Sequence, residues 1–135
     1  MLYIQSVNLP KETHMYTVLI KSLVVVLIVS VFGVAVADTT ATPSQLLAHP
    51  NTFNGQHVSV TGTVSDVVAK TSHAGNPYET FNLCDANSVC VHVFTFGQPS
   101  LSEGEKKTVR GTFSAVKHVG SYTFYDEIEA DENSL

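Results

Sequence analysis

The sequence lacks every compact motif that would identify an enzyme. It contains no serine-nucleophile motif, no phosphate-binding loop, no Cys-x-x-Cys pair and no zinc-ligand spacing. We therefore expect a non-enzymatic protein that needs no cofactor and no metal. Its 135 residues are enough for one domain of ordinary size, and no internal repeat is visible.

Positive charge is also scarce. The chain has 7 Lys and Arg residues against 12 Asp and Glu residues, which gives a formal net charge of -5. Proteins that bind single-stranded nucleic acid usually present a positive groove to the phosphates. The overall charge therefore works against such a ligand, unless the few basic residues cluster.

The longest apolar run lies near the N-terminus, from Leu23 to Ala37. Lys21 precedes it, and Ala35 and Ala37 stand at the two positions that a signal peptidase reads. A membrane-spanning helix usually needs about 20 residues, and this run is shorter. We predict a signal peptide that is cleaved after Ala37, with a single-pass inner-membrane anchor as the alternative. The rest of the chain would be periplasmic or secreted, where disulfides persist, and only an uncleaved leader would touch the membrane.

The composition divides the chain into four segments. Residues 1–37 hold an N-terminal extension and the leader, and either Met1 or Met15 is the true start. Residues 38–41 are predicted to be a polar linker, residues 42–131 the folded domain and residues 132–135 a frayed tail.

One short helix is predicted to open the domain. Thr42 can cap its N-terminus, Pro43 suits the first helical position and Gln45 completes a capping box. Pro50 should end it, because the residue before a proline is pushed out of the α region. One or two turns are not stable alone, so we expect this helix to plug one end of a larger structure.

Five segments then alternate between apolar and polar residues, as half-buried β-strands do. They lie at 57–68, 78–85, 89–96, 106–118 and 122–130. Gly62 and Gly111 interrupt the two long ones, where a glycine often marks a bend or bulge. An open sheet of this size would leave exposed edges. We therefore predict an all-β fold in which five strands close into a barrel, with no long helix.

This pattern resembles the small bacterial OB-fold domains, including those grouped with nucleic-acid-binding OB modules. The resemblance covers about residues 43–130 and rests first on Val-x-Val-x-Gly-x-Val, from Val58 to Val64, and Gly104-x(4)-Val109-x-Gly111-x-Phe113. It implies a five-stranded OB-fold-like barrel and, for the family, single-stranded nucleic acid as the ligand. One departure is that residues 97–104 are too few for the helix that often joins strands three and four.

The stretch Tyr78–Phe96 predicts a β-hairpin, because two alternating runs flank a short polar break. If residues 86–88 form the loop, Cys84 lies opposite Cys90. A cysteine pair directly across a hairpin in an exported chain favours a disulfide. The alternative is a metal-ligand set in which both cysteines act together with His92.

The outer face of this hairpin is the predicted ligand-binding face. Alternation sends Phe81, Leu83, Val91 and Val93 to the core and turns the intervening side chains outward. Bases stack on aromatic rings with about 1–3 kcal/mol each. The predicted ligand-binding residues, including two lysines from the adjoining loops, are Tyr78, Thr80, Asn82, His92, Phe94, Lys70 and Lys117. The competing interpretation is that the helix or the 97–104 loop covers Phe96 and Phe94.

We therefore predict an exported OB-fold binding module. Single-stranded nucleic acid is the ligand that the resemblance implies, whereas an oligosaccharide or an envelope protein agrees better with the acidic charge. The alternative is a metal- or haem-handling protein that uses His92 with neighbouring histidines. Glu127 and Glu129 share a strand face that resembles a weak cation site, but a solvated edge is the simpler interpretation.

Overall fold

The structure is a computed structural model that describes residues 37–135. The predicted signal peptide and its alternative, a membrane anchor, fall almost entirely outside these residues. Among the described residues, no helix is long and apolar enough to cross a membrane.

Six strands and two short helices form the described part of the chain. In chain order they are β1 (Thr39–Ala41), α1 (Pro43–Ala48), α2 (Pro50–Phe53), β2 (His57–Thr71), β3 (Pro77–Cys84), β4 (Cys90–Phe96), β5 (Lys106–Val119) and β6 (Tyr122–Ala130). Strands dominate, so the predicted all-β class is confirmed. The segment 97–105 between β4 and β5 contains no helix, as its length predicts.

Five of the strands pair in a ring. The order is β2-β3-β4-β6-β5, and β5 pairs back with β2. The β4–β6 pairing is parallel, whereas the other pairings in the ring are antiparallel. This closed ring is the arrangement that the five alternating segments predict. The structure adds β1, which pairs in parallel with β2 and occupies residues that we expected to form a linker.

The core lies inside the ring, and valine is its most frequent residue. The inward rows that alternation predicts are almost fully buried; among them are Val58, Val60, Val64, Phe81, Leu83, Val91, Val93, Val109, Phe113 and Ile128. Gly62 and Gly111 stand in these rows because the neighbouring strands leave no room for a side chain. A Cβ atom at Gly62 would lie 2.7 Å from the Cys84 carbonyl oxygen.

Helix α1 begins with the predicted capping box. The backbone N–H of Gln45 donates to Thr42 Oγ1 at 3.2 Å, and the backbone N–H of Thr42 donates to Gln45 Oε1 at 2.9 Å. Leu46 is fully buried in the core, as a plug requires. Pro50 ends α1 as predicted, but it also opens α2, because proline suits the first helical position.

The predicted hairpin register is confirmed along its whole length. Tyr78 pairs with Phe96, Asn82 with His92 and Cys84 with Cys90. The two cysteines form a disulfide with an S–S distance of 2.01 Å. Since each sulfur is bonded to the other, neither is available for the alternative metal-ligand set with His92.

A cluster of four charged residues ties both ends of the described chain to the sheet. His57 lies between two carboxylates, with Nδ1 2.6 Å from Asp38 and Nε2 2.9 Å from Asp131. Arg110 Nε lies 2.5 Å from the other oxygen of Asp38. Hydrogen bonds to Asp131 and Asp38 raise the pKa of His57, although burial opposes them. Hydrogen bonds from Arg110 and His57 lower the pKa of Asp38. We call these four residues the terminal cluster.

Candidate ligand-binding cleft

Two loops rise on either side of the outer face of β3 and β4. One joins β2 to β3 at residues 72–76, and the other joins β5 to β6 at Gly120-Ser121. A cavity of about 650 Å³ is lined by residues of the first loop and by Val119 and Tyr122, which flank the second loop. Another cavity, of about 420 Å³, shares part of this lining. The side chains common to both cavities are Tyr78, Phe94, Phe96, Val119 and Phe124. We treat the two cavities as one continuous cleft.

Aromatic rings form the apolar part of the cleft. The ring centres of Tyr78 and Phe94 are 5.4 Å apart, and those of Phe94 and Phe96 are 4.9 Å apart in an edge-to-face arrangement. Phe96 is 54% exposed, so the interpretation in which the helix or the 97–104 loop covers it is wrong. Phe124 adds a further ring from β6 and is 39% exposed. The cleft therefore offers several ring faces to one ligand.

Lys117 lies over the Phe94 ring, with Nζ 5.3 Å from the ring centre. Its ammonium group also lies 3.4 Å from Glu127 and hydrogen-bonds to Glu129. Burial alone would lower the pKa of Lys117, but the carboxylates of Glu129 and Glu127 outweigh burial and raise the pKa. Lys117 therefore stays charged, and that charge is already balanced by protein carboxylates.

The acidic pair on β6 differs from the solvated edge that the sequence suggests. Glu127 is only 4% exposed, because β6 lies between β4 and β5 and Lys117 covers its carboxylate. Glu129 lines the same cleft and is the second partner of Lys117. Both carboxylates thus belong to the cleft.

Lys70 is the other basic residue of the cleft. It lies on β2 directly opposite Tyr78 and is exposed. Within residues 37–135 it forms no ion pair. Lys70 is therefore the cation best placed to meet a negative group on a ligand.

A line of polar side chains leads from Asp66 through Asn82 to His92, which lines the cleft. Asp66 Oδ2 lies 3.0 Å from Asn82 Nδ2, and Asn82 Oδ1 lies 3.3 Å from His92 Nδ1. On the other side of the ring, His92 Nε2 lies 3.9 Å from Glu127 Oε2. The His92 side chain is 42% exposed, so it is accessible from the cleft.

The structure brings most of the predicted ligand-binding residues together. Those that line the cleft are Tyr78, Thr80, His92, Phe94, Lys70 and Lys117. Thr80 is 8% exposed and offers a ligand little surface. Asn82 does not line the cleft, and it contacts His92 from behind. The sequence analysis missed the contributions of Val119, Tyr122, Phe124, Glu127 and Glu129, although pairing β5 with β6 around Gly120 would have placed Phe124 opposite Lys117.

No metal site accompanies the cleft in the part of the chain that the structure describes. Among residues 37–135, no group of three or more His, Cys, Asp or Glu side chains is arranged to hold a metal ion. The possible metal donors that line the cleft are His73, His92, Glu127 and Glu129, and Lys117 already pairs with both carboxylates.

The fold is similar to that of a known protein, although the sequence is not. No protein-family model and no curated protein matches the sequence. The crystal structure of a proposed nucleic acid-binding lipoprotein from Klebsiella pneumoniae subsp. pneumoniae MGH 78578 superposes with a TM-score of 0.50 and 19% sequence identity. The alignment covers 68% of this chain and 87% of that chain. At this identity the similarity concerns the fold alone.

Proposed function

We propose that this protein is an exported binding module that holds single-stranded nucleic acid in the cleft and catalyses no reaction. The observation that carries the proposal is the set of rings from Tyr78, Phe94, Phe96 and Phe124 in an open cleft between two loops. Unpaired bases stack on such rings with about 1–3 kcal/mol each. OB-folds bind oligonucleotides with this face and these two loops.

Two further observations support the ligand and the compartment. The Klebsiella protein with a similar fold is itself described as a proposed nucleic acid-binding lipoprotein. The Cys84–Cys90 disulfide agrees with export, because disulfides persist in oxidising compartments and are rare in the cytosol.

Charge sets the expected mode of binding. Lys117 is neutralised by Glu127 and Glu129, so Lys70 remains as the cation for a phosphate. Each phosphate neutralised on a single strand contributes a slope of about -0.7 to the dependence of log K on log salt. We therefore expect a slope near that of one phosphate, with stacking as the main source of affinity.

The test is binding of the purified protein to labelled single-stranded DNA of about 8–16 nucleotides, which lies within the about 4–16 nucleotides that one OB-fold covers. Fluorescence anisotropy is measured at low and at physiological salt. Phe94→Ala should weaken binding about tenfold, because it removes the central ring of the cleft. Tyr125→Ala is the matched control, since Tyr125 is 67% exposed and does not line the cleft. Equal affinities of the two variants would overturn the proposal.

A neutral oligosaccharide is the second candidate ligand. The observation that favours it is the charge balance of the cleft, in which Lys70 and Lys117 face Glu127 and Glu129. Sugar rings can lie against aromatic faces without any cation from the protein. If DNA fails to bind even at low salt, the same two variants tested against soluble envelope oligosaccharides would decide this alternative.

A further inference from the structure

The imidazole of His92 is held from behind in one orientation. Asn82 touches Nδ1 at 3.3 Å, whereas Nε2 points toward the side where the ring is exposed and where Glu127 lies at 3.9 Å. In a neutral imidazole one nitrogen carries the hydrogen and the other accepts a hydrogen bond. The partner of Nδ1 therefore decides what Nε2 can offer to a ligand.

The orientation of the Asn82 amide follows from Asp66. A carboxylate can only accept hydrogen bonds, so the Asn82 group 3.0 Å from Asp66 Oδ2 must be the NH₂. The Asn82 oxygen then faces His92 Nδ1. Because that oxygen can only accept, Nδ1 must carry the hydrogen. Nε2 of neutral His92 is consequently an acceptor.

A second contact keeps Asp66 in place. Asp66 lies in a bulge of β2 with a φ of 54°, a value that asparagine and aspartate tolerate better than most residues. The carboxylate of Glu103 accepts hydrogen bonds from the amides of Asp66 and Val67, at 3.1 and 2.7 Å. Glu103 thus secures the bulge, the bulge positions Asp66, and Asp66 orients Asn82.

We propose that His92 presents Nε2 to the cleft as a hydrogen-bond acceptor, and that the cleft therefore selects ligands with an N–H or O–H donor at this point. The Glu127 carboxylate, 3.9 Å from Nε2, is a second acceptor. One amino group could reach both. This inference rests on the proposed function, since it names the ligand group that the same cleft would recognise. Asn82, Asp66 and Glu103 are then positioning residues.

The tautomer can be measured without any ligand. Long-range ¹H–¹⁵N correlation spectra at about pH 8, where an ordinary histidine is neutral, show which ring nitrogen carries the hydrogen. We expect the Nδ1–H form for His92. The exposed His73 serves as the internal control and should show the Nε2–H form that predominates in an unrestrained side chain.

Two variants test whether Asn82 and Asp66 position the His92 ring or only support the fold. Asn82→Ala should return His92 to the Nε2–H form, because the acceptor at Nδ1 is lost. Asp66→Asn should give a mixture, because the new amide can donate or accept and no longer dictates how Asn82 lies. Unchanged amide spectra in the core strands would show that the fold survives both substitutions.

The donor on the ligand is tested with two oligonucleotides of about 8 nucleotides, matched except for one group. One is oligodeoxyadenosine, and the other carries deoxynebularine, a purine that lacks the amino group of adenine. The protein should bind the adenine oligonucleotide about fivefold more tightly, as expected for one hydrogen bond. His92→Ala should bind the two equally.

Two results would overturn the inference: a dominant Nε2–H form of His92 in the unmodified protein, or a preference for adenine that survives in His92→Ala. If neither oligonucleotide binds, the proposed nucleic-acid function fails. The tautomer measurement still decides independently whether His92 presents an acceptor.

Discussion

His57 and His92 both lie beside carboxylates on the outside of the same sheet, but their ring nitrogens have different partners. Both nitrogens of His57 face carboxylates, at 2.6 and 2.9 Å. Such a ring is best satisfied when both nitrogens carry hydrogen. His92 faces an amide oxygen on one side and the cleft on the other.

The difference separates a structural region from the proposed binding region. In the terminal cluster every charged side chain points to a partner within the protein, and the contacts link Asp38, just before β1, and Asp131, just after β6, to strands β2 and β5. In the cleft, the rings, Lys70 and His92 Nε2 keep surface that no other described residue covers. We therefore expect substitutions in the terminal cluster to change stability, and substitutions in the cleft to change binding.

Lys117 is the expected exception, and it gives the largest effect. Lys117→Met would leave the nearly buried Glu127 without its cation, which we expect to lower the free energy of unfolding by about 3 kcal/mol. Urea denaturation measures the change. The double variant Lys117→Met/Glu127→Gln should recover much of it, and Lys106→Met, an exposed lysine of the same strand, should be close to neutral. If Lys117→Met left the free energy of unfolding unchanged, the carboxylates of the cleft would not need their cation.

His57→Gln should give an intermediate effect, a loss of about 1 kcal/mol of stability. Binding to DNA should not change, because His57 does not line the cleft. Denaturation curves and anisotropy on the same preparation test both halves of this prediction. Weaker binding of DNA at unchanged stability would show that the terminal cluster takes part in binding, which contradicts the separation of the cluster from the cleft.

The pH dependence of stability should report the terminal cluster. The pKa of His57 is raised in the folded state, so its contribution is complete below about pH 6.5 and is lost as pH rises through the folded pKa. The pKa of Asp38 is lowered, so its contribution is present above about pH 3.9 and is lost as pH falls through the folded pKa. Thermal melts from about pH 4 to pH 9 should show a melting temperature that declines at high pH. His57→Gln should remove this decline. An identical decline in the variant would assign it to another group.

Lys70→Ala should have the smallest effect. Lys70 is exposed and forms no ion pair within residues 37–135, so stability should change by less than about 0.5 kcal/mol. Affinity for single-stranded DNA should fall slightly, and the salt slope should decrease by about 0.7. Anisotropy titrations at several salt concentrations measure both. A salt slope that does not change would show that Lys70 meets no phosphate.

Local patterns in the sequence predicted the central hairpin, whereas contacts between distant strands escaped prediction. The short loop and strict alternation between Tyr78 and Phe96 determine the register, and with it the disulfide and the position of Phe94. The capping box at Thr42 was equally local. These features depend on neighbours within a few residues, so periodicity is sufficient to find them.

The missed features depend on closure of the ring. Glu127 is buried because β6 pairs with both β4 and β5, and alternation within β6 does not show this. His57 meets Asp131 across 74 positions of sequence, a contact that no local pattern reveals. The bulge at Asp66 carries no glycine to mark it, and β1 is three residues long, too short for alternation to be visible.

We expect the ligand to lie in the cleft and not at the terminal cluster. Amide chemical shifts of the ¹⁵N-labelled protein, followed during titration with single-stranded DNA, test it most directly. We expect progressive changes at Tyr78, Phe94 and Phe124, with none at His57 or Arg110. Changes centred on His57 and Arg110, with the cleft unaffected, would contradict it.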